Sequence, residues 1–381
     1  MKNIITMLIL LIAISSVSVS AQEDTSKIVQ EEYALSGAES VIENLVLPES
    51  VSEMFSDFNP EVFAEKLLNG ETDDTKSLLK KALRFFVVEL FNGKEKFFLI
   101  LLAAFLSGLI AVLAKGFGEG IGEIAFIPSY LLISSFSLSL FLGVADFVKD
   151  GLEFSVSFLN SSLPVFTTLV MASGDAASES LLRPGITIGI FTLANLIRSV
   201  IFPAIFVSAV FGIVTHLSKT VPLQRLNKLL KKTIRLALCL IATVFVSYLS
   251  VSQVAARALN GVGVRTGKFV IGNLVPVVGG FLAETLDTLF TCAGVVRGVF
   301  GVVGVSVLAV CFVSLLIRIL ARIWLLQLAS AFSEPIGDAR VSSMLSELSE
   351  SMSLLLGALS CAMVSFVIYL AMLIRVGNYI Q

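Results

Sequence analysis

Apolar runs of membrane-spanning length recur at about 97–114, 124–145, 186–214, 236–252, 299–317 and 353–374, judged against the roughly 17–25 residues a helix needs to cross hydrocarbon. They predict six transmembrane helices. The run at 186–214 is too long for one straight crossing and contains Arg198 and Pro203, so it reads as a kinked span or as a helix pair. Two further apolar stretches, "LNSSLPVFTTLVMAS" around Pro164 and "GNLVPVVGGFLAE" around Pro276, are too short to cross and are interrupted by proline. They read as re-entrant half-helices on one side of the membrane, because broken backbone at membrane depth is tolerated only inside protein or beside water. The two prolines lie 112 residues apart, as do the starts of the preceding runs at 124 and 236. A duplicated unit of span, half-helix and returning span would give that spacing; so would coincidence of hydropathy.

Ahead of the first run the pattern changes. Residues 1–21 read as a signal peptide: Lys2 gives a positive start, Ile4 to Ile14 an apolar stretch, and Val19-Ser20-Ala21 a small-residue cleavage site. An uncleaved first transmembrane helix is the other reading, for which the apolar stretch is short. Residues 22–96 form an acidic, mostly helical extracytoplasmic segment, and 97–381 a polytopic membrane domain. Asn59-Pro60 carries a helix-start signal and Gly70 a stop. A second helix is predicted from Asp74 or Thr75 to a break at Gly93, with Leu78, Ala82, Phe85, Phe86 and Leu90 on a side that needs a partner or a membrane surface.

Composition supports the membrane reading. Of 381 residues, 56% are hydrophobic and 15% charged, against roughly 45–50% and about 25% in ordinary soluble proteins, and the mean hydropathy is +0.93. Residues 22–96 hold 16 acids and eight bases, whereas the chain from Phe97 onward holds 13 acids and 18 bases. The densest basic cluster lies between the third and fourth runs, which places that loop in the cytoplasm and the acidic head outside. Within it, Leu223, Leu226, Leu230 and Ile234 fall on one side of a helix, while Arg225, Lys228, Lys231, Lys232 and Arg235 are expected on the other. Such a helix suits anionic membrane lipid, and equally an ordinary topology-setting loop.

Enzyme chemistry finds little support. His216 is the only histidine and falls at a span end, suiting a headgroup-level residue. Cys239, Cys292, Cys311 and Cys361 lack CxxC spacing and sit mostly in apolar runs. "GVGVRTGKF" at 261–269 resembles a phosphate-binding loop, but Val262 stands where the first glycine belongs and Phe269 where Ser or Thr belongs. No catalytic, cofactor or metal site is expected, and no nucleic-acid partner. Charges near apolar segments carry the functional interest, because an intramembrane charge needs a partner or water: Arg198, Lys268, Glu284, Asp287 and Arg297. The last four also fit an outward aqueous loop. Gly294, Gly298, Gly301 and Gly304 make a smooth face for helix packing, within the fold or between copies.

Three blocks carry a resemblance. "GFGEGIGEIAFIPSYLLISSFSLSLF" at 116–141, "PVFTTLVMASGDAAS" at 164–178 and "GVGVRTGKFVIGNLVPVVGGFLAETLDTLFTCAGVVRGVFGVVG" at 261–304 resemble the stage III sporulation protein AE family, over nearly the whole body after about residue 75. The order of RTGKF, NLVPVVGG and ETLDT is specific. The resemblance implies a non-enzymatic subunit of a channel or secretion-like complex in the mother-cell membrane around the forespore, sustaining late forespore gene expression. Its implied partners are sibling membrane proteins, a separate ATPase subunit and a forespore-side protein. The family brings no catalytic residues, so Arg265, Lys268, Asn273, Pro276, Gly279, Gly280, Glu284 and Asp287 are nominated only as a pore or assembly element. A secondary transporter acting alone and a scaffold without a lumen are the rival readings.

Overall fold

The computed structural model describes residues 75–115, 119–172, 188–217, 223–274, 279–336 and 338–375, with backbone alone from 255 to 293. Among the described residues there is no β-strand. Seven helices follow in order: α1 Thr75–Asn92, α2 Lys94–Lys115, α3 Glu119–Ala172, α4 Ile188–Leu217, α5 Gln224–Leu274, α6 Gly279–Ile336 and α7 Ala339–Arg375. Five of them contain segments long and apolar enough to cross a membrane: Phe126–Ala172, Ile188–Leu217, Gln224–Ser252, Val296–Pro335 and Ala339–Ala371. The run at 97–114 lies on α2.

The middle of the fold is α6 against α7. In α6 apolar residues face all round, and 89% of its most apolar stretch is buried, compared with 22% for α5; a helix that is hydrophobic on every side belongs inside a bundle. Phe300, Leu308, Phe312 and Ile319 of α6 share one core with Leu348, Leu355, Leu359, Met363 and Phe366 of α7. Contacts along these helices fix directions. Ser155 approaches the Met363 sulfur at 3.3 Å, Cys361 the Leu238 carbonyl at 3.6 Å, and Asn227 the Glu347 carboxylate at 2.6 Å. Hence α3, α5 and α7 run the same way. Phe166 meets Phe300 with ring centroids 5.0 Å apart, while a Cβ on Gly151 would meet Leu315, so α6 runs against them. Phe141 meets Phe206 and Glu153 meets Arg198, so α4 does too.

One expectation changes here, and of two alternatives one is taken. The stretch around Pro164 is no half-helix: it is the last part of the 54-residue α3. Its inner positions Phe158, Leu159, Val165, Phe166 and Leu169, on one side of the helix, are buried against the core, and Pro164 faces outward. One missing N–H on an outer face is cheap beside that packing, and it releases the carbonyl of Asn160. Of the run at 186–214, the described residues from Ile188 onward form one helix, widened into a π turn at Ile197–Ile201 where the Phe202 N–H bonds the Ile197 carbonyl. Pro203 follows at once and cannot donate to Ser199, which is the circumstance in which helices take up an extra residue.

The second head helix runs from Thr75 to Asn92, with a turn at Gly93 before α2. Its apolar side finds a partner within the chain: Ala82, Phe85 and Phe86 rest on Val313 and Ile317 of α6. Glu89, buried, lies 2.9 Å from Arg318 Nε and 3.5 Å from Arg322 in an ion cluster. The Asn59–Gly70 helix, the signal segment and the Pro276 segment fall outside the described residues.

Candidate functional site

Sequence reasoning put five bases on one exposed face of the helix that opens α5. Arg225, Lys228, Lys232 and Arg235 are exposed there, whereas Lys231 is buried. At 100° per residue position 231 falls about 40° from 227 and about 60° from 234, on the side turned to the core, and a buried ammonium persists only with partners. Lys231 Nζ lies 3.0 Å from Glu350 Oε2 and donates to the Glu347 carbonyl at 3.0 Å. Glu347 also accepts from Asn227, which in turn accepts from the Ser208 hydroxyl at 2.7 Å. This network joins α4, α5 and α7. His216, expected at headgroup level, is buried beside it with Nδ1 2.8 Å from the Gly212 carbonyl. Leu226, expected on the apolar side, is 48% exposed.

The glycine face divides. A Cβ added at Gly294 or Gly298 would meet nothing within 4 Å, and at Gly304 it would make ordinary contact with Phe158 and Leu370; Gly301 is buried. The tighter approaches are at Gly151 and Gly93, where the added atom would fall 2.5 Å from Leu315 and 2.1 Å from Leu325. Of the nominated pore or assembly element, Arg265, Lys268 and Asn273 lie on the last turns of α5, and Gly279, Gly280, Glu284 and Asp287 on the first turns of α6. Pro276 and the side chains of the whole set lie outside the described residues.

A different surface emerges on α3. Along its first half the outer side is apolar, with Ile127, Leu131, Leu132 and Leu142 each more than two-fifths exposed. From Asp146 to Thr168 every exposed position is charged, hydroxylated or proline: Asp146, Lys149, Asp150, Glu153, Ser157, Ser161, Pro164 and Thr168. The change falls within one turn. It was missed because the inner apolar residues dominate any average over the sequence, while the polar ones recur at spacings of three and four on the opposite side.

Beside this stripe, α4 is mixed along its first part and apolar beyond the π turn. Before the π turn ends, Thr192, Asn195, Arg198 and Ser199 are exposed together with the apolar Ile188, Phe191, Leu196 and Val200; after it the exposed positions are Pro203, Val207, Val210 and Val214. Between the two helices opens a groove of about 610 Å³. Lys149, Glu153, Ser157 and Asn160 line one wall, Thr192, Asn195 and Arg198 the other, with Phe191 and Phe202 among its apolar lining. Arg198 reaches Glu153 at 3.1 Å across it, with both side chains more than half exposed. Arg198 lies within the π turn, a feature frequent at functional sites. Chemically the groove offers both signs of charge, amides and hydroxyls to a hydrated solute.

No solved structure matches this chain. A curated relative, the Stage III sporulation protein AE of Bacillus subtilis (strain 168), is 26% identical over 336 residues, covering 87% of this chain and 82% of the relative. Residues 58–377 match the family described as Stage III sporulation protein AE. That match spans the head helix, every described span and the polar groove, so the chain belongs to the Stage III sporulation protein AE family and is a sporulation-related, multi-pass membrane protein.

Proposed function

We propose that this protein is a non-enzymatic subunit of a channel or secretion-like complex that links mother cell and forespore and sustains late forespore gene expression. It sits in the mother-cell membrane with its acidic head extracytoplasmic, and it works with sibling sporulation membrane proteins, a forespore-side partner and a separate ATPase subunit. One observation carries the assembly part of this reading. The bundle axis is filled by the side chains of α6 and α7, yet a continuous polar stripe lies on the outside of α3. A protein that moves solutes with a solid middle and a polar flank does so at its boundary with other subunits.

The test is crosslinking through residues 22–96 in sporulating cells, followed by purification of the full chain. Recovery of other sporulation membrane proteins is expected. Recovery of this chain alone, with crosslinking efficient by its own head-to-body products, refutes the reading. A chain that transports unaided would instead pass a defined small solute when purified alone into liposomes.

A further inference from the structure

We infer that the outward face of the opening turns of α5 binds an anionic phospholipid, its phosphate held among Arg225, Lys228, Lys232 and Arg235 and its acyl chains laid along Leu229, Leu236 and Leu240. This site is independent of the assembly reading above.

The helix divides its bases between two sides. At 100° per residue Asn227, Lys231, Ile234 and Leu238 share one side, and all four are buried. Lys231, on that side, takes Glu347 and Glu350 of α7 as partners. The other four bases fall on an arc of about 80° on the opposite side and are exposed. None of these four has an ion partner among the described residues, and α5 carries no acid from Gln224 to Leu274. Like charges one turn apart on a helix repel, so this arc attracts an anion from outside the chain.

The neighbouring arc selects which anion. Leu226, Leu229, Leu236 and Leu240 fall on the next arc of about 80° of the same outward side, each between 48% and 63% exposed. Leu226 and Leu229 lie at the levels of Arg225 and Lys228, so cationic and apolar side chains stand side by side. A soluble phosphate would satisfy the bases and leave the leucines in water. A phospholipid satisfies both, because it carries its charge and its acyl chains on one molecule. The apolar arc continues inward through Val244 and Val251, 66% and 69% exposed. It does so on the least enclosed of the five candidate spans, with 22% of the most apolar stretch buried, which gives acyl chains a path along the helix. Direction helps as well. Cβ atoms tilt toward the helix N-terminus, so Lys232 and Arg235 point back from the span toward the headgroups while their stems lie along apolar surface.

The experiment places the full chain in phosphatidylcholine vesicles, with Trp324, the only tryptophan, replaced by phenylalanine and a reporter introduced by Leu236→Trp. A minor fraction of the lipid is phosphatidylglycerol or phosphatidylcholine with brominated chains, which quench a tryptophan they touch. Phosphatidylglycerol should bind beside the reporter at least about fivefold more tightly. Lys228→Gln with Lys232→Gln should bring the two lipids within about twofold of each other, and Lys228→Arg with Lys232→Arg should keep the preference. Lys81→Gln with Arg84→Gln, which removes the same charge from exposed positions of α1, should leave it unchanged. Equal quenching by the two lipids with all four bases present overturns the inference. An equal loss of preference in the α1 variant also overturns it, since net charge would then be the cause. Quenching by neither lipid overturns it in favour of a protein partner on this face. Displacement of the brominated phosphatidylglycerol by inorganic phosphate, beyond that by chloride at equal ionic strength, overturns it in favour of a soluble anion.

Discussion

The ion cluster under the head helix gives a prediction whose size can be worked out. Glu89, 3% exposed, lies 2.9 Å from Arg318 Nε and 3.5 Å from Arg322, and accepts from Asn92 at 3.1 Å. Arg318 also lies against the Phe147 ring, 5.1 Å from its centroid, so the guanidinium is held in place from the α3 side. Glu89→Gln keeps the shape and one acceptor oxygen and removes the charge. A hydrogen bond to a charged group is worth about 1.5–3 kcal/mol and a neutral one about 0.5–1.5, so the change costs about 1–2 kcal/mol. Glu89→Ala removes the carboxylate from two guanidiniums in a buried setting and costs about 3–5 kcal/mol. These costs fall on the docking of α1, whose remaining hold is the packing of Ala82, Phe85 and Phe86 on Val313 and Ile317. Hydrogen exchange of the full chain in lipid nanodiscs reads that docking directly. Amides of α1 should exchange about tenfold faster with Gln and more than about a hundredfold faster with Ala, with α7 unchanged. Unchanged α1 exchange in Glu89→Ala refutes the reasoning, and so does an equal rise in α7, which would make the cluster a global stabiliser.

Other consequences are simpler to measure. Lys231→Met should lower stability by about 1–3 kcal/mol, reduced from the full cost of a broken buried pair because Glu350 is 54% exposed, while Lys228→Met on the outer face stays within about 0.5 kcal/mol; thermal unfolding in one detergent compares them. Gly151→Val should cost about 1–3 kcal/mol by crowding Leu315 and Leu359. Gly298→Ala, with open space around it, should change the midpoint little, and the reverse order would show that the glycine row is the tighter contact.

How much of this was legible beforehand depends on where the deciding partner lies in sequence. The limits of α1 could be read because its signals are local: a polar start at Thr75, apolar residues at helical spacing, and Gly93 at the end. The burial of Lys231 could not, because its partners Glu347 and Glu350 are more than a hundred residues away, and residue type alone groups a lysine with its exposed neighbours. Pro164 misled for a related reason. A proline interrupts a helix when nothing else holds it, but here Phe158, Val165 and Phe166 are held by α6. The polar stripe was present in the sequence at spacings of three and four, hidden under an apolar average to which the inner face contributes most.

The length of α6 has a mechanical consequence. Fifty-eight residues at about 1.5 Å each make a rod of about 87 Å, nearly three hydrocarbon thicknesses. Between two-thirds and three-quarters of the way along it receives the head helix at Arg318 and Arg322; at one end it hands over to α7 at Ile336. A rod gripped there turns rotation into unequal travel: a tilt of about 5° carries the far end about 5 Å and the near end about 2 Å in opposite directions. Whatever pulls on the docked head therefore acts at the pivot of a lever whose ends lie on the two sides of the membrane.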